Sequence, residues 1–148
     1  MNARLLPVAA AGLVLAACAA APPADPLVSS RWYLTSIERP SQQPITLSGR
    51  SSDEHWLSFS PDGSLIASLD CNRGNGRWQR MGAAGMGGDR MGGLEIGEIA
   101  STRALCPTPS YGEEMAASLP LATAYELVDD GRELVIRTRT ATYRLIAR

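Results

Sequence analysis

The cysteines are the residues whose type and position most clearly indicate chemistry. The first of them, Cys18, directly follows an apolar N-terminal segment. Leu15-Ala16-Ala17-Cys18 places small residues directly before a cysteine, which is the cleavage pattern of a bacterial lipoprotein signal peptide. In that chemistry the Cys18 thiol takes a diacylglycerol and the chain is cut before it. Residues 5–17 are too few to cross a bilayer, which needs roughly 20. An ordinary cleaved signal and a buried N-terminal segment are the alternatives.

This pattern predicts the organisation of the chain. Residues 1–17 are a signal peptide, residues 18–30 a lipidated N-terminus with a proline-rich tether, and residues 31–148 one folded domain. The lipid is the predicted membrane partner. Ala19, rather than aspartate, follows the cysteine, and by the usual sorting rule this favours the outer membrane, with the domain facing the periplasm.

Two cysteines are left once Cys18 carries lipid. An oxidising compartment permits Cys71 and Cys106 to pair, and two buried thiols are the alternative. No Cys-x-x-Cys motif is present, so the pair is interpreted as structural. Closing a loop of this length stabilises a fold by about 4 kcal/mol on the chain-entropy model.

Candidates for catalysis are few. His55 is the only histidine and is expected to be a solvated loop residue, and zinc usually needs several His or Cys ligands. The acidic pairs Asp53-Glu54, Glu113-Glu114 and Asp129-Asp130 are adjacent in sequence, whereas a glycosidase needs two carboxyls across a cleft. The sequence therefore predicts no enzyme and no cofactor.

Met81, Met86 and Met91 recur every five residues through the glycine-rich stretch 82–93, which is expected to be a flexible loop. Thioethers are soft ligands that could bind Cu(I). The competing interpretation is that these methionines fold over apolar surface, so no metal site is assigned to them.

The charge balance excludes one class of partner. All 14 basic residues are arginine, against 15 acidic residues, for a net charge of −1. No basic run offers a footprint for nucleic acid.

Strand signals dominate the domain. Alternation and β-branched or aromatic content predict strands over residues 31–37, 56–60, 65–71, 77–81, 94–99, 123–128, 133–138 and 142–146. Turns are predicted at residues 61–63 and 74–76, and Cys71 is expected to point inward with the apolar set.

One helix is predicted near residue 110. Ser110 and Glu113 have capping-box spacing, Tyr111, Met115 and Leu119 share one face, and Pro120 ends the segment. The predicted fold is α+β, with a curved, mostly antiparallel sheet of about seven or eight strands, partly closed, packed against one helix.

The order of these motifs resembles a known family. The residues that carry the resemblance are Trp32-x-Leu34-x-x-Ile37, Asp70-Cys71-Asn72-Arg73, Gly76, Trp78, Leu94-x-Ile96-Gly97-x-Ile99-Ala100-x-Thr102-Arg103-Ala104-Leu105-Cys106, Tyr125-x-Leu127 and Leu134-x-Ile136. Together they are similar to the META domain of HslJ-like lipoproteins and secreted proteins. Many members carry glycine at the position of Asp70.

The resemblance implies a noncatalytic envelope module linked with heat shock and with novobiocin tolerance, and it brings no catalytic residues. Asn72 and Thr102 are expected to be structural, bonding nearby backbone and shaping turns, with ligand binding as the alternative. The predicted function is a stress-related interaction module that meets an unidentified envelope protein and is itself a monomer. Cu(I) binding by the methionine stretch is the alternative function.

Overall fold

A computed structural model describes residues 25–82 and 88–148 of the chain. Within these ranges it contains ten β-strands and two short α-helices. The strands are β1 (Arg31–Glu38), β2 (Ile45–Thr46), β3 (His55–Phe59), β4 (Ser64–Leu69), β5 (Asn72–Met81), β6 (Met91–Ile96), β7 (Ala100–Ser101), β8 (Ala122–Val128), β9 (Glu133–Thr138) and β10 (Thr142–Ala147). The helices are α1 (Arg50–Asp53) and α2 (Gly112–Ser118), and a 3-10 turn (Leu119–Leu121) continues α2.

Eight strands close into an antiparallel barrel. Neighbours follow the order β1, β3, β4, β5, β6, β8, β9 and β10, and β10 returns to β1 in a register from Trp32–Ala147 to Glu38–Thr142. The short strands β2 and β7 pair with β1 and β5. The predicted α+β class with a curved antiparallel sheet and a packed helix is confirmed, and the sheet closes further than the partly closed form that we expected.

Alternation along the strands fills the barrel interior. Leu65, Ala67 and Leu69 of β4 are buried, as are Trp32 and Leu34 of β1. Residues two apart on a strand share a face, so each strand contributes every second side chain to the core. The apolar alternation in the sequence thus decided which face of each strand turns inward.

The two barrel ends are closed differently. At the tether end, where β1 begins and β5 ends, Leu27 is fully buried and its carbonyl accepts a hydrogen bond from the Trp32 indole at 2.9 Å. Asp25 binds Arg80 of β5 there, with 2.6 Å between Oδ1 and Nη2. At the helix end, where β5 begins and β8 begins, α2 and its 3-10 turn bury Met115 and Leu119.

The barrel is weakly paired where β6 meets β8. Residues 91–93 pair with residues 124–126, and the rest of β6 has β5 alone as its strand partner in the described chain. β7 continues the path of β6 along β5 with one extra residue between them, since Trp78 pairs with Ile96 and Asn75 with Ala100. The outer edge of this β6–β7 path therefore faces α2 instead of a strand.

The predicted turn at residues 74–76 was wrong. The chain reverses at Asp70 and Cys71, where Asp70 has a φ of 64°, and β5 runs unbroken through Gly74. A Cβ at Gly74 would lie 2.6 Å from Ile99 Cγ2, so the glycine permits close packing of the segment above it. Because β4 ends before the reversal, Cys71 is exposed and does not point inward as expected.

The start of α2 also differs from the prediction. Tyr111 is the N-cap residue and no side chain caps the helix, so the capping box expected from Ser110 and Glu113 does not form. The predicted apolar face is present, since Met115 and Leu119 are fully buried and Tyr111 packs against the core.

Part of the stretch that was predicted as a glycine-rich loop, residues 82–93, forms a strand. β6 begins at Met91, so Gly92 and Gly93 belong to a strand. Gly93 lies opposite Met81, and a Cβ there would come within 2.8 Å of the Met81 Cβ. Close strand contact, rather than flexibility, explains this glycine.

Candidate functional site

The side chain of Asn72 organises the helix end of the barrel. It is buried, its Oδ1 accepts from the Ala104 N–H at 2.7 Å, and its Nδ2 donates to the Ala104 carbonyl at 3.0 Å. The carboxamide thus pairs with Ala104 as a strand peptide group would, which keeps the chain extended beyond β7. Asn72 Oδ1 also accepts from the Thr102 hydroxyl at 2.9 Å, and Thr102 Oγ1 accepts from the Arg73 N–H at 3.0 Å. The partners of Asn72 lie about 30 residues away in sequence, not in the adjacent turn that we expected.

A disulfide joins the same two segments. Cys71 and Cys106 are bonded, with 5.5 Å between their Cα atoms. The predicted pairing is therefore present in the structure, and it connects the β4–β5 turn to the segment that precedes α2. Asn72 Nδ2 lies 3.2 Å from Cys106 Sγ, so the disulfide and the carboxamide hold one strap, residues 102–106.

An open groove of about 370 Å³ lies between this strap and α2. One wall is the extended segment Ser101, Thr102 and Arg103, and the other is the face of α2 that carries Gly112, Ala116 and Ala117. The floor includes Leu69, Asn72 and Ile99, and Glu113 completes the rim. The volume is within the range of pockets that bind ligands, about 300–1,000 Å³.

Gly112 seats α2 against the barrel. A Cβ at this position would lie 2.2 Å from the Leu69 carbonyl oxygen, so the helix could not start so close to β4 with any other residue. The opposite side of α2 is held by Glu114, which accepts from Arg39 Nε at 2.6 Å. This hydrogen bond raises the pKa of Arg39 above its usual value.

The rim of the groove carries exposed charge, and its floor carries apolar surface. Arg103 and Glu113 are exposed, and neither forms an ion pair with another side chain of the described chain. Leu105, next to the disulfide, is 100% exposed but is not among the residues that line the groove, whose apolar side chains are Leu69 and Ile99 on the floor. The groove therefore offers polar, charged and apolar contacts within a small area.

His55 is buried, and the expectation of a solvated loop histidine was wrong. It is 1% exposed at the start of β3. Its Nδ1 lies 2.7 Å from the Ser51 carbonyl, and its Nε2 accepts from the Tyr111 N–H at 3.4 Å. Both ring nitrogens are thus used to join β3, α1 and the start of α2.

The acidic pairs are dispersed over the surface. Asp53 binds Arg148, Glu54 binds Arg50, and Asp129 binds Arg132. In residues 25–82 and 88–148 no group of three or more His, Cys, Asp or Glu side chains is placed to hold a metal ion.

Of the other predicted residues, Met81 and Met91 are about half exposed near the tether end. Cys18 and Met86 lie outside the described residues. None of the helices in the described part of the chain is long and apolar enough to cross a membrane.

Residues 25–148 match the sequence profile of the META domain. The chain belongs to the META domain family. The predicted resemblance is confirmed, and the META domain covers the whole described fold, from Asp25 at the tether end to the last strand.

Two solved structures share the META domain fold of this chain. The NMR structure of a protein from Burkholderia xenovorans is 15% identical with a TM-score of 0.57, covering 97% of this chain and 99% of that one. The crystal structure of a DUF4847 family protein from Bacteroides vulgatus is 15% identical with a TM-score of 0.54, covering 81% and 93%. At this identity the likeness concerns the fold alone. No curated protein matches the chain.

The groove of the META domain was missed by sequence reasoning. Its walls depend on contacts between segments far apart in the chain, and Ser101 and Arg103 show no motif of their own. The available signal was the small face of α2, since Gly112 and Ala116 are four residues apart.

Proposed function

We propose that this protein is a lipid-anchored component of the bacterial envelope whose META domain binds a partner and catalyses no reaction. The anchor is the Cys18 thiol, the location is the periplasmic face of the outer membrane, and the binding surface is the helix end of the barrel. The observation that carries the proposal is the lipoprotein cleavage pattern, Leu15-Ala16-Ala17-Cys18, seven residues before the docked Asp25.

The docking of the tether gives the anchored domain an orientation. Seven extended residues reach at most about 25 Å, so a lipid on Cys18 keeps the tether end near the membrane. The contacts of Asp25 with Arg80 and of Leu27 with Trp32 fix that end. The groove beside α2 is at the other end of the barrel and would face away from the lipid.

The placement of reactive side chains supports binding over catalysis. Both ring nitrogens of His55 form hydrogen bonds within the fold. A histidine that acts as a general base needs one ring nitrogen free to reach a substrate. Asp53 and Glu54 bind arginines at the surface instead of facing a shared cleft. Apart from Arg103 and Glu113, one on each wall, the side chains that line the open groove carry no charge.

The anchoring is tested with Cys18→Ser in the full-length protein. We expect the wild-type protein in the membrane fraction, with an intact mass that begins at a triacylated Cys18, and the variant without lipid and with residues 1–17 still attached, because the cut follows the lipidation. The double variant Cys71→Ser/Cys106→Ser is the matched control and should stay with the membrane. A wild-type chain that still starts at Met1 without lipid would overturn the proposal.

We also propose a role in stress tolerance, on the basis of the resemblance to HslJ-like lipoproteins. A strain without the protein is expected to be more sensitive to heat and to novobiocin, and the wild-type sequence should restore growth while Cys18→Ser should not. Equal growth of the deleted and parent strains under both stresses would remove this part of the proposal.

Cu(I) binding is a second candidate function, favoured by the register of β5 and β6. Met81 pairs with Gly93, and Met91 is two residues before Gly93, so both thioethers project from one face. They are 52% and 49% exposed. Two soft sulfur ligands on one face suit Cu(I).

Competition with a chromophoric Cu(I) chelator tests this second function. We expect the full chain to withdraw Cu(I) from the chelator, and Met81→Leu/Met91→Leu to lose at least tenfold in affinity. Met115→Leu, in the buried core, is the matched control and should bind as the wild type does. No withdrawal by the wild-type chain rejects the candidate.

A further inference from the structure

The wall of the groove formed by residues 100–104 is an extended strand edge. Thr102 donates its N–H to the Arg73 carbonyl at 3.0 Å, and Ala100 lies opposite Asn75. Ala104 pairs with the Asn72 carboxamide. Because peptide groups alternate in direction along a strand, these three residues face β5.

The peptide groups between them face the groove. Ser101 lies opposite Gly74, between two residues that bond β5, so its N–H and carbonyl point away from β5, as do those of Arg103. Within the described ranges neither Ser101 nor Arg103 bonds the backbone of α2. Unpaired groups of this kind on an extended edge are a template for another strand.

The opposite wall leaves room for that strand. Gly112 and Ala116 are small and Ala117 is exposed, so α2 stands back from the edge across an open volume of about 370 Å³. An extended chain placed between a strand edge and a helix is the arrangement of peptide recognition by strand addition. Its backbone would bond the edge, and alternate side chains would meet Ile99 and Leu69 on the floor.

We infer that the groove between residues 101–103 and α2 takes an extended segment of a partner protein, added to β7 as a strand. This inference rests on the proposed function and names the kind of partner. The segment carries apolar side chains toward the floor, where Leu69 and Ile99 lie. Its flanks are polar and carry both charge signs, because the free charges at the rim are Arg103 and Glu113.

A second copy of this chain fits the groove less well than a flexible segment does. In a second copy the same edge, residues 101–103, lies behind its own α2. Pairing of the two edges would therefore require α2 to detach from the barrel in both copies. Gly112 sits tight against Leu69 and Glu114 is bonded to Arg39, and both contacts oppose that movement.

The test uses the full-length anchored protein in intact cells, with p-benzoylphenylalanine as the photoreactive probe. The probe replaces Glu113 or Arg103 in the groove and, in a control, Ile66 on the outer face of β4. We expect groove probes to form adducts with one extended segment of an envelope protein, as mapped by mass spectrometry, and the Ile66 probe not to form them.

Two blocking variants decide whether the strand edge is used. Ser101→Pro removes an outward N–H without touching the bonds to β5, and its control Ser101→Ala keeps that N–H. Ala117→Trp fills the groove from the helix side, with Ala117→Ser as its control. Both blocking variants should lower adduct yield at least tenfold and both controls should leave it unchanged. Thermal unfolding of each variant shows whether it is folded. One folded blocking variant is enough to decide whether the strand edge is used.

The outcomes separate the two proposals. Adducts that persist in the folded blocking variants, adducts with a second copy of this chain, or adducts from Ile66 alone overturn the strand-addition inference and leave the interaction function standing. Absence of adducts at all three positions overturns both.

Discussion

At the scale of single residues, the side chain of Asn72 makes hydrogen bonds that a neighbouring strand would otherwise make. Its carboxamide makes two hydrogen bonds to Ala104 and one to Thr102 at 2.7–3.0 Å, so one side chain replaces a missing ladder. A side-chain amide can do this because it carries the same donor and acceptor as a peptide group. The strap that walls the groove is therefore held by this carboxamide together with the Cys71–Cys106 disulfide.

Replacing Asn72 with alanine is expected to lower the free energy of unfolding by about 2–3 kcal/mol, because the variant loses the three hydrogen bonds that the buried carboxamide makes to Ala104 and Thr102. Denaturant titration measures the loss, and hydrogen exchange at the Ala104 amide should accelerate. Asn75→Ala on the same strand is the control, since Asn75 is exposed and should change stability by less than about 0.5 kcal/mol. Equal stability of the two variants would contradict the role of Asn72.

Tyr143 provides a pH-dependent prediction. Burial raises its pKa to about 12, and its hydroxyl has no hydrogen-bond partner in the described chain. The neighbouring Ser118 hydroxyl favours the phenolate slightly, but its own bonds go to Thr138 and Thr140 at 2.9 and 2.7 Å. The folded state thus favours the neutral phenol, and this stability is complete below the unfolded pKa of about 10.

As the pH rises from 10 toward 12, the unfolded chain releases the Tyr143 proton first, and the free energy of unfolding should fall by up to about 3 kcal/mol. Tyr143→Phe should remove this component and cost little at pH 7. Urea titrations at pH 8 to 12 measure this component, with Tyr33→Phe as the control at a partly buried tyrosine. A slope that is identical in the Tyr143→Phe variant and the wild type would disprove the assignment.

At the scale of elements, the position of α2 depends on a glycine. Gly112→Ala should lower the free energy of unfolding by about 1–3 kcal/mol, because the new Cβ meets the Leu69 carbonyl and the helix must move away. Gly97→Ala is the matched control, since its nearest neighbour would be 3.7 Å away, an ordinary contact. Denaturant titration compares the two, and a neutral effect of Gly112→Ala would mean that α2 is not seated as described.

The strands themselves were predictable because burial repeats every two residues along them. A strand over residues 65–71 with an inward apolar set was predicted from alternation, and Leu65, Ala67 and Leu69 are buried there. A strand was also predicted over residues 133–138, the observed span of β9. The turns were less predictable. Gly74 and Gly76 look like a turn in sequence, but they serve close contact with Ile99 and the Glu98 carbonyl. A glycine that is needed because neighbouring atoms are too close for a Cβ looks the same in sequence as one that is needed for a positive φ. Only the neighbouring residues in the structure distinguish the two.

At the scale of the whole molecule, the disulfide closes a segment that includes β5, β6 and β7. Its cysteines are separated by 35 residues. Cys71→Ser/Cys106→Ser is expected to lower the free energy of unfolding by about 4 kcal/mol, mainly because the unfolded chain regains freedom. Denaturant midpoints measure this. Reductant should lower the denaturant midpoint of the wild type by the same amount and leave that of the double variant unchanged. Equal midpoints of the wild type with and without reductant, and of the double variant, would contradict the stabilising role of the disulfide.

The sequence alone determined the META family and the antiparallel sheet, and it predicted the pairing of Cys71 with Cys106 and the lipid on Cys18, because each depends on local pattern, motif order or a count of cysteines. The tertiary structure decided the barrel closure, the burial of His55 and the groove between Ser101–Arg103 and α2. These depend on segments far apart in the chain. Which strand edge stays unpaired depends on how all the other strands pair, and a local sequence pattern does not contain that information.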